Sequence, residues 1–318
     1  MSHITVLAGG SGAAKFLLGL VDVVPEEQVH VVVNVGDDHE VWGLYVTPDI
    51  DSILYALAGE LDPNRGWGRR DETFRCLETI KKLRMPSWFR VGDRDLATHL
   101  VRSDLLRHGA DLTEATAQLA DRFGLGAVIM PVTDSPVRTR IHTPEETLAF
   151  QEYFVRENCA PKVQGVSYEG ADAARASTTV VDSILNASRI ILAPSNPVTS
   201  IGAILAVPGI REALVNTRAG IVAISPIIGS QPVSGPAGIL MEATGSNGVS
   251  AKAVAERYRD FLDQIVIHTT DLPLLEEVRS AGVGVWVENI LINSVDDASR
   301  LAQRVTNEDR PVARKRIS

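Results

Sequence analysis

The 318-residue chain has only two cysteines, Cys76 and Cys159, and they do not stand in a CxxC or similar spacing. The sequence therefore supports neither a disulfide framework nor a zinc site, and it favours a reducing compartment. No apolar run approaches the roughly 20 residues that cross a bilayer, and the first residues do not read as an export signal. We therefore expect a cytoplasmic protein that is neither inserted into a membrane nor exported.

The chain also lacks an excess of positive charge, because 31 Lys and Arg residues stand against 40 Asp and Glu residues. Nucleic-acid binding needs a basic face that neutralises phosphates, so the formal net charge of −9 argues against a nucleic-acid partner. Any phosphorylated ligand must instead be held locally, by backbone N–H groups, a few Arg and Lys side chains or a metal ion.

Seven short β-branched runs recur along the chain and are mostly followed by helical periodicity. Their hydrophobicity is continuous rather than alternating, which is typical of parallel strands buried on both faces. The predicted strands lie within 4–8, 29–34, 126–132, 189–195, 220–227, 264–269 and 283–289. The sequence thus predicts an α/β fold with a doubly wound, mostly parallel sheet in three layers, and ligands at the carboxyl ends of the strands.

Residues 59–124 differ from the rest because they are rich in charge and show helical patterns without a convincing strand pair. We predict a helical insertion that caps the active site, set into a core formed by residues 1–58 and 125–318. The irregular segment 133–170 predicts a pair of edge strands around a helix at 144–156. The last 12 residues, NEDRPVARKRIS, predict a solvated terminus.

The first predicted strand leads to Gly10, Ser11 and Gly12, and a helix that carries Lys15 follows. Glycines here let the backbone approach an anion, and the free N–H groups at a helix start favour negative charge. The pattern is not a Walker motif, because Phe16 follows Lys15, and it is not GxGxxG, because Lys15 stands at the third glycine. A phosphate cradle and a plain tight β–α connection are the two alternatives.

Four carboxylates follow the second predicted strand, and all of them can face the same crevice. They are, in chain order, Asp37, Asp38, Asp49 and Asp51. The first two come just past the strand end at Asn34, and the second two lie in the first turn of a helix that Pro48 begins. A helix cap and a charge that suits the helix dipole are the alternative explanation of the second pair. Beside a phosphate loop, however, the cluster is a good site for Mg²⁺, which binds carboxylate and phosphate oxygens.

A second polar stretch combines three arginines, two aspartates and one histidine around the start of a helix predicted near Leu96. They are Arg90, Asp93, Arg94, Asp95, His99 and Arg102. The arginines can clamp phosphates or a ring-bound oxygen, because a guanidinium pairs with anions in a fixed fork. An internal ion-pair network with the two aspartates is the alternative, and a histidine in such a helix is more often a cap or core residue than a base.

Two later strands end in polar turns. One leads into Ser195, Asn196 and Pro197 ahead of a helix, and the other ends at Ser225 beside Pro226. Proline fixes such a loop while Ser and Asn present hydrogen-bonding groups, which suits recognition of a base or a phosphate. A structural turn is the alternative for each.

With these motifs in place, the chain resembles the 2-phospho-L-lactate transferase family. The matching stretches lie between residues 4 and 242 and are, in order, AGGSGAAKFLLGL, VVNVGDDHEVWGLYVTPDIDSILYALAG, GWGRRDETF, VGDRDLATHLVRS, LAPSNPVTSIGAILAVPGIREAL and SPIIGSQPVSGPAGILM. The resemblance implies a Rossmann-like core with a helical subdomain, a homodimer and a Mg²⁺ requirement. It also implies a guanosine diphosphate ester as donor and 7,8-didemethyl-8-hydroxy-5-deazariboflavin as acceptor, in the biosynthesis of coenzyme F-420.

The family's motifs assign roles to particular positions of this chain. Its Pro-Asp-x-Asp motif falls on Asp49 and Asp51, which are expected to contact the metal and the deazaflavin alcohol. Arg90 or Arg94 is expected near the deazaflavin, and Ser195–Pro197 on the guanosine side. The chain departs from many relatives in having Ala-Ala rather than Thr-Pro directly before its retained lysine.

These observations together give the predicted site. Asp49, Asp51 and Lys15 are expected to act in catalysis, and Asp37, Asp38, Asp49 and Asp51 to hold Mg²⁺. The residues expected to bind substrate are Gly10, Ser11, Gly12, Asn34, Arg90, Asp93, Arg94, His99, Ser195, Asn196, Pro197 and Ser225.

In the expected reaction the ribityl hydroxyl of the deazaflavin attacks the phosphorus nearer the phospho-acid, and GMP leaves. An Asp that is not bound to the metal would accept the hydroxyl proton. No motif distinguishes phospholactate, phosphoenolpyruvate and phosphoglycerate as the acid. The alternatives are another nucleotide-diphosphate-dependent transferase of the same fold without a deazaflavin substrate, and a nucleotide-sensing regulatory protein, which would not need four clustered carboxylates.

Overall fold

A computed structural model describes residues 2–307 of the chain. The predicted solvated terminus lies, from residue 308 onward, outside the described residues. The strands of the described chain are β1 Ile4–Ala8, β2 Val29–Val33, β3 His39–Val41, β4 Leu44–Val46, β5 Val128–Pro131, β6 Arg138–His142, β7 Thr147–Ala149, β8 Gly165–Glu169, β9 Arg189–Leu192, β10 Gly220–Ile224, β11 Ile227–Ile228, β12 Gln231–Pro232, β13 Gln264–His268 and β14 Gly284–Glu288. Its α-helices are α1 Gly10–Val23, α2 Pro48–Leu57, α3 Arg75–Lys82, α4 Asp93–Arg107, α5 Leu112–Arg122, α6 Thr178–Leu185, α7 Ile201–Ala206, α8 Ile210–Asn216, α9 Ala237–Ala243, α10 Ala251–Arg257, α11 Leu275–Arg279 and α12 Val295–Thr306.

Seven strands form one parallel sheet in the order β14-β13-β10-β9-β1-β2-β5. They are the seven strands that the sequence predicts, and the predicted α/β class with a parallel sheet and flanking helices is confirmed. The central strands β1, β2, β9, β10 and β13 are buried almost throughout, whereas the edge strand β14 is mostly half-exposed. Continuous β-branched runs suit this position, because a central parallel strand is covered on both faces.

The direction of winding changes between β1 and β9. From β1 the chain adds β2 and β5 on one side, and from β9 it adds β10, β13 and β14 on the other. The connections that follow β1 and β9 therefore lead away in opposite directions along the sheet, an order that predicts a crevice at the carboxyl ends of these two strands. In doubly wound sheets this switch point is where ligands bind.

Between α2 and β5 the chain leaves the sheet and forms α3, α4 and α5. The helix predicted from near Leu96 begins earlier, at Asp93. Helix α5 packs against β5, and its Leu112 and Leu119 belong to the main hydrophobic core. That 59–124 forms a unit which caps the active site stays a prediction.

The segment 133–170 differs in part from its prediction. The predicted pair of strands is present as β6 and β8, which pair with each other and form, with β7, a separate antiparallel sheet, β7-β6-β8. The predicted helix at 144–156 is wrong, because β7 occupies 147–149 and only a π-helical turn, Glu152–Arg156, follows. Strand β6 alternates between buried and half-exposed residues, and β7 pairs with it instead of winding into a helix.

No helix among residues 2–307 is long and apolar enough to cross a membrane.

Candidate active site

The crevice at the switch point is closed at its base by two loops in direct contact. The backbone N–H of Gly9 donates to Ser195 Oγ at 3.1 Å. A β-carbon at Gly12 would fall inside van der Waals distance of the Pro194 carbonyl oxygen, and one at Gly9 would collide with Asp49. These two glycines therefore let the β1–α1 turn pack tightly against the β9–α7 loop and the start of α2.

The predicted phosphate loop is the first turn of α1 itself, because the helix begins at Gly10. The first N–H groups of a helix have no partners within the helix, so this turn can present them to an anion. Gly10 has a φ of +73°, a conformation that favours glycine. Ser11 and Lys15 are both exposed and lie one helical turn apart, on the same face of α1. The binding of phosphate at this turn stays a prediction.

Asp37 and Asp49 form one pair of carboxylates above the crevice, and each is about 95% buried, with 6% and 5% exposure. Asp49 Oδ2 accepts a hydrogen bond from Asn34 Nδ2 at 2.9 Å. Burial raises the pKa of Asp49 to about 6, although hydrogen bonds from Asn34 and Gly10 lower it. Burial, Asp49 and Asp38 raise the pKa of Asp37 well above its usual range. Among the described residues, no arginine or lysine contributes to either shift.

Asp38 and Asp51 form a second pair, and this pair has cationic partners. The guanidinium of Arg102 contacts both carboxylate oxygens of Asp51, with Nη1 at 3.2 Å from Oδ2. Tyr45 donates to Asp38 Oδ2 at 3.2 Å, and Arg138 donates to the Tyr45 hydroxyl at 3.1 Å. Burial raises the pKa of Asp38 well above its usual range, against the opposing effects of Arg138 and Arg102.

The charges of the site do not balance. Four buried carboxyl groups stand against two guanidinium groups, so two of them, Asp37 and Asp49, lack a cationic partner among the described residues. One oxygen of Asp37 and one of Asp38, Oδ1 in each, also lack a hydrogen-bond partner within residues 2–307. Buried charges are normally paired or bound to metal, so the cluster fits one divalent cation.

A third group of side chains, on α2 and α4, extends this cluster. One ligand atom each from Asp51, Asp95 and His99 lies within 4.8 Å of the others, so these residues could hold a metal ion. His99 Nδ1 is 3.6 Å from Asp51 Oδ2, and its Nε2 is 3.2 Å from Asp95 Oδ1 without hydrogen-bond alignment. Tyr55 donates to Asp95 at 2.7 Å. Burial would raise the pKa of Asp95, but His99 and Tyr55 hold it below its ordinary value.

Asp93 and Arg94, both predicted to bind substrate, have structural partners at the start of α4. Asp93 accepts hydrogen bonds from the backbone N–H groups of Arg75 and Cys76, each at 3.0 Å, and so caps α3. The Arg94 guanidinium donates to the carbonyl of Arg70 at 3.2 Å. A direct role of either residue in substrate binding stays a prediction.

Arg90 has a different environment. Its guanidinium lies over two aromatic rings, 4.9 Å from the ring centre of Phe74 and 5.6 Å from that of Trp67. The side chain is exposed, and no carboxylate of the described chain pairs with it. Of the two arginines expected near the deazaflavin, Arg90 is thus the one whose guanidinium is available to a ligand.

The polar turns after β9 and β10 are partly engaged in their own geometry. Asn196 Oδ1 accepts from the backbone of Val198 at 2.9 Å, and Pro197 is buried. The Ser225 hydroxyl is fully buried and donates to the carbonyl of Ile227 at 2.8 Å. Contacts of these residues with guanosine stay predictions, and the structure gives Ser225 a role within its own turn.

Tyr45 and Arg138 carry no role in the sequence prediction, and Arg102 is predicted either to clamp an anion or to form an internal ion pair. Arg102 shares a face of α4 with Asp95 and His99, so its burial could have been inferred from helical spacing. It does form an internal ion pair, but with Asp51 rather than with the aspartates of its own stretch. Tyr45 and Arg138 come from separate small sheets, and no spacing in the sequence connects them.

Comparison with known proteins gives matches along nearly the whole chain. Residues 4–299 match the family model described as 2-phospho-L-lactate transferase CofD. The 2-phospho-L-lactate transferase of Methanosarcina acetivorans is 42% identical, with 94% of this chain and 97% of the relative covered. The phosphoenolpyruvate transferase of Streptomyces coelicolor is 39% identical, with 95% and 96% covered. A solved structure of a UPF0052 family protein from Bacillus halodurans has a TM-score of 0.67 at 16% identity, covers 96% of this chain and 98% of its own, and shows a shared fold.

Proposed function

Because the chain belongs to the 2-phospho-L-lactate transferase family, we propose that it transfers a phospho-acid group from a guanosine diphosphate ester to 7,8-didemethyl-8-hydroxy-5-deazariboflavin. The ribityl hydroxyl forms a new bond to the phosphorus nearer the acid, the bond from that phosphorus to the GMP oxygen breaks, and the hydroxyl proton passes to a carboxylate. The products are a phosphodiester and GMP. The proposal rests on one observation. The start of α1 and the carboxyl groups of Asp37 and Asp49, which lack a cationic partner among the described residues, lie at the same switch point of the sheet.

The donor's diphosphate is assigned to the start of α1. The N–H groups of Ser11 and Gly12 favour anionic oxygens there, and Lys15 supplies a cation one turn further along. The β9–α7 loop with Ser195 and Asn196 contacts the β1–α1 turn directly, so we assign the guanosine to this loop. In an acidic chain with a net charge of −9, such local positive features are what can hold a diphosphate.

Asp37 and Asp49 are the residues that would hold Mg²⁺. They have no cationic partner among the described residues, whereas Asp51 is bound by Arg102 and Asp38 lies near Arg102 and Arg138. Of the four predicted ligands, these two are therefore the ones whose ionised form a divalent cation would neutralise. When bound, Mg²⁺ neutralises the diphosphate and stabilises the leaving GMP oxygen.

We assign the role of proton acceptor to Asp38. Its Oδ1 lacks a hydrogen-bond partner within residues 2–307, and burial raises its pKa, which favours transfer of a proton to its ionised form. Asp51 is less suited to this role because both of its oxygens contact Arg102. Arg90, exposed on its aromatic platform, would bind the ring-bound oxygen of the deazaflavin.

The identity of the acid stays open among the three that the sequence allows. Relatives named for phospholactate and for phosphoenolpyruvate transfer have similar identity to the chain, 42% and 39%. A competition assay with the three guanylated donors decides between them. A cytoplasmic location and a homodimer also stay predictions.

The test is a fluorescence titration of the purified chain with the deazaflavin, followed by a GMP-release assay with and without Mg²⁺. We expect saturable binding and release that needs both the metal and the deazaflavin. Absence of binding at high micromolar concentration would overturn the choice of acceptor and favour a transferase without a deazaflavin substrate. Nucleotide binding without any turnover would favour a nucleotide-sensing protein.

A further inference from the structure

The side chains of Asp51, Asp95 and His99 have the geometry of a metal site but already enclose a cation. Their ligand atoms lie within 4.8 Å of one another, and all three residues are buried. The guanidinium of Arg102 contacts both oxygens of Asp51 and comes within 3.4 Å of His99 Nδ1. A guanidinium and a divalent ion would compete for these same atoms.

Arg102 is fully buried, so protein atoms rather than solvent surround its guanidinium. It is the largest of the fully buried side chains in the described structure, and its Nη1 also lies 3.5 Å from the carbonyl of Tyr45. On α4, Asp95, His99 and Arg102 follow one another at helical spacing, so a single helix face presents the imidazole and the guanidinium to Asp51 of α2. The cation is therefore a fixed part of the α2–α4 interface.

We propose that Arg102 takes the place of a second divalent cation in this site. Enzymes that transfer phosphoryl groups often use two metal ions about 3.5–4 Å apart, each bound by shared carboxylates. In this chain Asp49 would bind the exchangeable ion, and Asp51 binds the guanidinium of Arg102. The inference rests on the proposed function for the first ion, at Asp37 and Asp49.

The arrangement explains why the triad and Arg102 occur together. Without the guanidinium, Asp51 would be a buried carboxylate without its counter-charge, an unfavourable state that the entry of another cation would relieve. One ring nitrogen of His99 and one oxygen each of Asp51 and Asp95 would then be free to coordinate that cation. Loss of the Arg102 charge should therefore create a second metal site and leave the first one in place.

The experiment counts bound Mn²⁺, used alone as the probe, by electron paramagnetic resonance of the free ion. The wild-type chain should bind about one equivalent, Arg102→Met about two, and Arg102→Met combined with His99→Ala about one. Arg102→Lys, which keeps a cation, and the double variant Asp51→Asn with Arg102→Met, which removes both partners, should bind about one, as the wild type does. Mn²⁺ should raise the melting temperature of Arg102→Met more than that of Arg102→Lys.

Two results overturn the inference: a folded Arg102→Met variant that gains no ion, or a wild-type chain that binds a second ion which His99→Ala removes. The second result needs no Arg102 variant, so it applies even if Arg102→Met does not fold. Failure of the proposed function looks different. A wild-type chain that binds no Mn²⁺ refutes the site at Asp37 and Asp49, whereas a gain from none to one in Arg102→Met still supports the inference.

Discussion

At the scale of single residues, the site separates four similar carboxylates by what lies beside them. Asp38 and Asp51 are near arginines, whereas Asp37 and Asp49 are near an amide, a helix start and each other. The same residue type thus acquires different chemistry from its surroundings, as the opposite pKa effects of burial and of neighbouring cations show.

Asp49→Asn tests the metal assignment. The amide keeps the size of the side chain but removes one of the two charges that lack a cation, so we expect turnover to fall by at least about 100-fold and Mg²⁺ affinity to fall with it. GMP release across a Mg²⁺ titration measures both. Asp104→Asn, which makes the same change at an exposed carboxylate on α4, serves as the control. Unchanged turnover and Mg²⁺ dependence in a folded Asp49→Asn variant would refute the assignment.

The pH dependence of stability tests the same residue. The pKa of Asp49 is raised from 3.8 to about 6 in the folded chain, so folding favours its protonated form. The stability that Asp49 contributes is therefore greatest below its unfolded pKa and is lost as pH rises from about 4 to about 6. Without Mg²⁺, the melting temperature of Asp49→Asn should exceed that of the wild type by an amount that grows across this window. A difference that stays constant with pH would contradict the shift.

Arg90 and Arg94 give a matched pair for the acceptor. Arg90→Ala removes an unpaired guanidinium, and we expect KM for the deazaflavin to rise by about 10-fold, a loss of about 1.4 kcal/mol in binding. Arg94→Ala removes a guanidinium that donates to a backbone carbonyl, and KM should change by less than about 3-fold. Steady-state kinetics on both variants decide the choice. Equal increases in KM would contradict the choice of Arg90 over Arg94 as the residue that binds the deazaflavin.

At the scale of elements, the site depends on how closely α1, α2 and the β9–α7 loop approach one another. Gly12 lies against the Pro194 carbonyl, a backbone atom that cannot swing away. Gly12→Ala should therefore destabilise the fold by about 1–3 kcal/mol and weaken donor binding, because the crevice must widen. Gly165→Ala on β8, where a β-carbon meets only the His142 side chain at 3.9 Å, should have little effect. Denaturant unfolding measures the difference, and equal stability of the two variants would contradict the account.

The strands of the main sheet, but not every helix, could be predicted from the sequence. The seven central strands were predictable because their continuous β-branched runs suit a sheet covered on both faces. The helix at 144–156 was wrongly predicted, since pairing of Thr147–Ala149 with β6 outweighed its helical pattern. The start of α2 at Pro48 followed its local signals, as the presence of Asp49 and Asp51 in its first turn confirms.

The partners within the site were harder to predict, for a physical reason. Arg102 binds Asp51 from the next helix but one, and Arg138 reaches Tyr45 from another small sheet. Such contacts join distant parts of the chain, so no local periodicity reports them. The sequence predicted a carboxylate cluster, and only the fold divides it into a compensated and an uncompensated pair.

At the scale of the whole molecule, a chain of net negative charge would need local features at one place to hold the proposed anionic donor. The switch point collects the start of α1, Lys15 and a carboxylate pair that fits a divalent cation. The remaining surface, in a chain of net charge −9, gives no general attraction for a diphosphate. Donor binding should therefore depend strongly on Mg²⁺.

The most direct test of the central claim is a single reaction in which both products are measured. Wild-type chain, Mg²⁺, deazaflavin and a guanosine diphosphate donor are combined, and phosphorus NMR follows the phosphodiester while chromatography follows GMP. The proposed transfer predicts that GMP and the deazaflavin phosphodiester appear in equimolar amounts and that neither forms when the metal is chelated. Formation of GMP without the phosphodiester, or of both products at an undiminished rate in the presence of chelator, would contradict it.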